Sequence, residues 1–136
     1  RSSTHPPRHE DRAMTAPLDI ANRWIAAYNA RDFDMLANLM SPDIHVEHHN
    51  RGALLNGAES MLAVMRQFAE LLPDRRFHSL RRQFVAGDTV VSELTWEGTP
   101  NDDVEGFAKK GETVKLELAC IWTIRAGRVV DYHDYG

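Results

Sequence analysis

Between Val114 and Ile124 every second residue is apolar, and this alternation constrains the fold more than any other feature of the chain. Leu116, Leu118, Cys120, Trp122 and Ile124 share one parity, the pattern of a strand with a buried face. Gly127 to Tyr135 then reads as the returning strand of a hairpin. A two-residue type I′ turn would hold Ala126 at positive φ, which is costly for a residue with a Cβ, whereas a three-residue loop needs only Gly127 there. The longer loop is therefore expected. It sets Ile124 opposite Arg128, Trp122 opposite Val130, Cys120 opposite Tyr132 and Leu118 opposite Asp134, so Tyr132 and Asp134 join the apolar face. The shorter turn would send Asp131 and His133 inward instead.

The first half of the chain follows a different period. Ile20, Trp24, Ala27 and Tyr28 recur at helical spacing over Pro17 to Ala30, with Pro17 suited to a helix start. Asp32 can cap a short second helix that turns Phe33, Leu36, Leu39 and Met40 inward and ends at Ser41-Pro42. Asn56 and Glu59 suggest a capping pair for a third helix with Leu62, Met65, Phe68 and Leu72 inside, stopped by Pro73. After Pro73 the period becomes two, giving strands over Phe77 to Val85 and Val90 to Glu97 around a turn at Ala86-Gly87-Asp88. Three helices followed by antiparallel strands predict an α+β fold, a curved sheet wrapped over helices with a pocket between them. The polar, glycine-rich Gly98 to Gly111 connection reads either as a lid at the pocket mouth or as an ordinary surface loop.

With 136 residues, 43% of them hydrophobic, the chain suits one domain, expected over 14–136. Residues 1–13 show no apolar periodicity and read as a tail or expression remnant, with Met14 resembling a translation start, so His5 and His9 enter no site argument. Sixteen basic against twenty acidic residues leave a net charge of -4 and no basic stripe, which argues against a nucleic-acid partner. Arg75, Arg76, Arg81 and Arg82 cluster, but within a strand pattern, where a solvated charge run is the default. A single cysteine, no signal-peptide pattern and no long apolar run point to a cytoplasmic protein without a membrane partner.

Between the second and third helices lies Asp43-Ile44-His45-Val46-Glu47-His48-His49-Asn50. Ile44 and Val46 alternate like a short strand; the same parity points His48 and Asn50 inward and His45, Glu47 and His49 to the other face. Imidazoles and a carboxylate are ordinary zinc ligands. Alternation separates His48 from the others, however, and no metalloprotease spacing occurs, so no metal is expected.

Several motifs together resemble the nuclear-transport-factor-2-like superfamily, and within it the SnoaL-like polyketide cyclases and ketosteroid isomerases. They are Tyr28-Asn29-Ala30-Arg31-Asp32, Met40-Ser41-Pro42-Asp43 leading into Val46-Glu47-His48-His49-Asn50, and Gly57 before the third helix. Leu72-Pro73-Asp74, Ala86-Gly87-Asp88, Trp96-Glu97-Gly98-Thr99 and Gly127-Arg128-Val129-Val130-Asp131 follow. The resemblance runs from about Leu18 to the C-terminus. It implies a cone-shaped fold with an apolar pocket, commonly a homodimer. Where ketosteroid isomerases carry a tyrosine, a basic aspartate and a protonated aspartate, this chain carries Trp24, His48 and Cys120. The last-strand aspartate that SnoaL-like cyclases use as general acid/base matches Asp134, while their supporting polar positions fall near Leu118 and Cys120. The Asp-Arg-Asp set of limonene epoxide hydrolases is not located.

Desolvation beside Trp122 and Leu118 would raise the pKa of Asp134 and suit it to proton exchange near neutrality. His48, facing it, reads either as a partner base or as a satisfied core histidine, and Tyr132 either as a donor to an enolate oxygen or as a packing group. Cys120, on the buried parity, reads as a packing thiol. Trp24, Tyr28, Asn50, Phe68, Trp96, Leu118, Cys120, Trp122 and Val130 are the expected pocket walls. The leading expectation is a cofactor-independent enzyme that abstracts a proton beside a carbonyl of a small hydrophobic cyclic substrate, with Asp134, His48 and Tyr132 catalytic. The alternatives are a non-catalytic ligand-binding or dimerisation module and an epoxide hydrolase-like enzyme.

Overall fold

The structure, a computed structural model, describes residues 16–136; the reading of 1–13 as a tail lies outside them. Two helices come first, α1 (Pro17–Ala30) and α2 (Phe33–Leu39), and after two strands a third, α3 (Ala58–Leu71). The strands are β1 (Met40–His48), β2 (Ala53–Asn56), β3 (Arg76–Ala86), β4 (Thr89–Gly98), β5 (Val114–Arg125) and β6 (Arg128–Tyr135). They form one curved sheet in the order β2-β1-β6-β5-β4-β3. The fold is α+β, and among the described strands the β1–β6 pair alone is parallel.

Helix α1 buries Ile20, Ala21, Trp24, Ala27 and Tyr28, the stripe its spacing predicts. Its C-terminal end is fastened to the sheet twice. Asn29 accepts from the Phe77 amide at 2.8 Å and donates to the Phe77 carbonyl at 3.0 Å. Arg75, 1% exposed, stacks its guanidinium 3.8 Å from the Tyr28 ring centroid and donates to the Tyr28 carbonyl at 2.9 Å, adding a second donor to a carbonyl in the last turn that also accepts from the Arg31 amide. The rest of the arginine cluster is paired on the sheet, Arg76 with Glu97, Arg81 with Glu117 and Arg82 with Glu93.

Asp32 caps α2 by accepting from the Met35 amide at 3.0 Å. Three local expectations are corrected. Met40 opens β1 rather than closing the second helix, because the chain extends through Ser41-Pro42 into the sheet. Asn56 and Glu59 form no capping pair: Gly57 occupies the N-cap, and Asn56 ends the short strand β2, which the sequence reading missed. On α3 the buried residues are Met61, Met65 and Ala69, so Met61 takes the place expected of Leu62.

The closing hairpin departs from its expected register and reaches the expected faces by another route. Arg125 pairs with Arg128 across a two-residue turn, with Ala126 at φ 51° and Gly127 at φ 75°. Taken alone, that turn would turn Asp131 and His133 inward. A bulge between the Ile124–Val129 and Thr123–Asp131 pairs leaves Val130 unpartnered and reverses the parity of all that follows. Trp122 therefore faces Tyr132 and Cys120 faces Asp134. Val129, Tyr132 and Asp134 are buried, and Val130 is only half-buried.

Candidate active site

The parallel pairing of β1 with β6 sets His48 beside Asp134. The Asp134 side chain, 4% exposed, spends both oxygens. Oδ2 lies 2.8 Å from His48 Nδ1 and accepts from the Tyr132 hydroxyl at 2.8 Å. Oδ1 accepts from Arg51 Nη2. Arg51 Nη2 also approaches His48 Nδ1 at 3.3 Å, but the shorter contact to an ionised carboxylate fixes Nδ1 as the protonated nitrogen. His48 Nε2 makes no hydrogen bond to any described residue.

The charge state of Asp134 corrects the expectation of a raised pKa. Burial is the largest single influence and pushes it up. The hydrogen bond and charge of His48, the charge of Arg51 and the Tyr132 hydrogen bond together outweigh it, and the carboxyl titrates below its ordinary value. Asp134 is therefore a stabilised anion and a weak base. Burial drives the Tyr132 phenol well above its usual range. Burial likewise raises the Cys120 thiol to about 12, so it stays protonated as a packing group 3.3 Å from the Tyr132 hydroxyl.

These groups open onto a cavity of about 600 Å³ between the helices and the sheet. His48, Tyr132 and Asp134 line it, as do Trp24, Tyr28, Asn50, Phe68, Trp96 and Leu118. Cys120, Trp122 and Val130 do not, which corrects their expected place in the wall. Cys120 and Trp122 are fully buried behind Tyr132, whose ring centroid lies 5.5 Å from that of Trp122, and Val130 is the bulged residue. Trp24 stacks on Tyr132 at 5.6 Å between centroids, and Trp96 Nε1 donates to the Tyr28 hydroxyl at 2.8 Å. Of the Gly98 to Gly111 connection, Val104, Glu105, Gly106 and Phe107 line the cavity, with Phe107 against Phe68 and Trp96.

Arg51 is the polar group that sequence reasoning missed. It stands in the β1–β2 turn, where Asn50 (φ 70°) and Gly52 (φ 67°) adopt left-handed backbone. Asn50-Arg51-Gly52 is a legible turn signal. Nothing in the sequence, however, tells which charged residue of a turn will fold over the end of a strand more than eighty positions away.

A family model described as a SnoaL-like domain matches residues 21–132. The chain belongs to the SnoaL-like domain family. No curated protein matches it significantly. Among solved structures, TsrD from Streptomyces laurentii is 27% identical to this SnoaL-like domain, with a TM-score of 0.72 over 92% of this chain and 89% of the other. A polyketide-cyclase candidate from Pseudomonas putida KT2440 is 24% identical, with a TM-score of 0.77 over 89% and 91% of the two chains. An epoxide hydrolase of limonene-epoxide-hydrolase type from Mycobacterium tuberculosis is 16% identical, with a TM-score of 0.71 over 88% and 80%. The last two likenesses establish the fold alone. Among the described residues no helix is long and apolar enough to cross a membrane.

Proposed function

We propose that this SnoaL-like domain is a cofactor-independent acid/base enzyme that removes a proton beside a carbonyl in a small hydrophobic cyclic substrate. The observation that carries the reading is the His48–Asp134 contact at 2.8 Å on the wall of an apolar cavity. Asp134, held ionised, keeps the proton on Nδ1 and orients the ring, which leaves the lone pair on Nε2 as the base. His48 takes the proton at Nε2, and the carboxylate stabilises the resulting imidazolium. The proton then returns from Nε2 to carbon or to the oxygen of the enolate. Arg51 and Asn50 are the cavity's polar donors for the developing enolate oxygen. Tyr132 is a positioning residue in this scheme, since its hydroxyl is already committed to Asp134.

Trp24, Tyr28, Phe68 and Trp96 favour a flat, apolar substrate. The test is a thermal-shift panel of polycyclic ketones, steroids, terpenoid epoxides and polyketide-like aromatics, followed by NMR detection of α-proton exchange with deuterated solvent for each ketone that binds. Exchange abolished in His48→Ala supports the reading. Ketone binding with no exchange above the solvent rate favours a ligand-binding module, and turnover of an epoxide favours hydrolysis.

A further inference from the structure

The two strands that carry His48 and Asp134 present a second ionisable cluster on their opposite face. β1 and β6 pair with His45 beside Asp131 and Glu47 beside His133, and His49 follows directly after β1. Ligand atoms of His45, Asp131 and His133 lie within 4.8 Å of one another, and so do those of Glu47, His49 and His133. His133 Nε2 is 3.0 Å from Asp131 Oδ2, and His45 Nε2 is 3.4 Å from Glu47 Oε1. Two ligands bonded tetrahedrally to zinc at about 2.0–2.1 Å stand roughly 3.3 Å apart, so these spacings suit a shared ion without movement of the main chain.

The groups around the cluster can hold its imidazoles in the tautomers that an ion needs. His45 Nδ1 faces Asn56 Oδ1 at 3.2 Å. An amide oxygen only accepts, so Nδ1 carries the proton and Nε2 presents its lone pair to the cluster. His133 Nδ1 lies 2.8 Å from His49 Nε2. His133 Nε2, 3.0 Å from Asp131 Oδ2, carries the proton when no ion is bound; an ion would displace it, and with the proton on Nδ1, donated to His49 Nε2, His133 Nε2 becomes a ligand atom while His49 keeps Nδ1 toward Glu47 Oε2 at 3.5 Å. Outer groups that hold one imidazole nitrogen and free the other are the usual support of a metal-binding histidine.

We infer that the outer face of β1 and β6 binds one divalent transition-metal ion per chain through His45 Nε2, His133 Nε2 and the Asp131 carboxylate, with Glu47 adjacent to it. Two imidazoles and a carboxylate select zinc, cobalt, nickel or copper over magnesium and calcium, which take oxygen ligands. Strand alternation had counted against a metal because it removes His48 from the set. It removes only His48, and β6, paired alongside, supplies two further ligands. The ion would cross-link the two strands that position His48 and Asp134, on the face away from the cavity, and it does not depend on the proposed reaction.

The test is titration of the full chain with zinc chloride, followed by the histidine side-chain NMR signals and by calorimetry. One ion per chain, with the His45 and His133 signals shifted and His48 unmoved, is expected. His133→Ala and, separately, the more conservative Asp131→Asn should each weaken binding at least tenfold. Zinc that shifts only His5, His9, His48 or His78, or that binds an Asp131→Asn protein as tightly as the wild type, overturns the assignment. Magnesium chloride at the same concentrations should shift none of these signals, and an equal response to it would also overturn the assignment.

Discussion

His48 Nδ1 and Asp134 Oδ2 stand 2.8 Å apart, although 86 positions separate the two residues, because parallel strands β1 and β6 hold them in register. The contact does two things at once. It keeps a carboxylate ionised inside an apolar wall, and it fixes the tautomer of the imidazole beside it.

Asp134→Asn should leave the fold nearly intact, because the amide matches the carboxylate in shape. It removes the anion that stabilises the imidazolium. For any ketone the wild type exchanges, kcat should fall by about 10²–10⁴-fold with KM little changed. His48→Ala should lose a similar amount, and the double variant hardly more than either single one, since the two act as a unit. Steady-state kinetics on the three proteins decides this, and additive losses would separate their roles.

Arg51→Gln should raise the pKa of Asp134 toward the ordinary carboxylate value, because the charge of Arg51 is one of the influences holding it down. NMR titration of the Asp134 carboxyl carbon measures the change. A pKa unmoved by the substitution would mean that His48 and Tyr132 suffice.

Stability should depend on acid in a defined direction. The folded pKa of Asp134 is depressed below its ordinary value of 3.8, so its contribution is present above that value and is lost as pH falls through the lower folded one. Melting temperature followed downward from pH 5 should drop more steeply for the wild type than for Asp134→Asn.

The hairpin turn offers a stabilising change. Ala126 adopts φ 51°, where a Cβ costs about 1–2 kcal/mol. Ala126→Gly relieves that strain and gives back part of it as unfolded-state entropy, for a net gain of about 0.5–1 kcal/mol by urea denaturation. A loss of stability would show that the Ala126 methyl makes contacts worth more than the strain.

Deleting Val130 should leave a folded protein. With the bulged residue gone, Asp131 follows Val129 directly and stays opposite Thr123, so Tyr132 and Asp134 keep their places opposite Trp122 and Cys120 on the inner face. Circular dichroism and thermal melting of the deletion check this, and loss of cooperative unfolding would show that the sheet needs the extra twist of the bulge itself.

The sequence by itself determined the described elements other than the short strand β2, and most of their buried faces. Helical spacing over Pro17 to Ala30, the Asp32 cap and the alternation of β5 are local signals, and local packing obeyed them. It also determined that Tyr132 and Asp134 lie inside, although by an argument whose register was two residues out: the expected three-residue loop is a two-residue turn, and the bulge at Val130 compensates. That compensation was not legible, because a bulge is chosen by how the sheet as a whole twists and packs. Tertiary structure alone decided the rest. It set His48 against Asp134 and brought Arg51 onto it from a turn, and these two with Tyr132 lowered a pKa that burial alone would have raised. It committed the Tyr132 hydroxyl to the carboxylate, and it set Cys120 and Trp122 behind the cavity wall rather than on it. Periodicity tells which way a side chain points. Which charges meet in a desolvated pocket depends on strands far apart in the chain, and only the folded sheet brings them within the few ångströms over which those charges act.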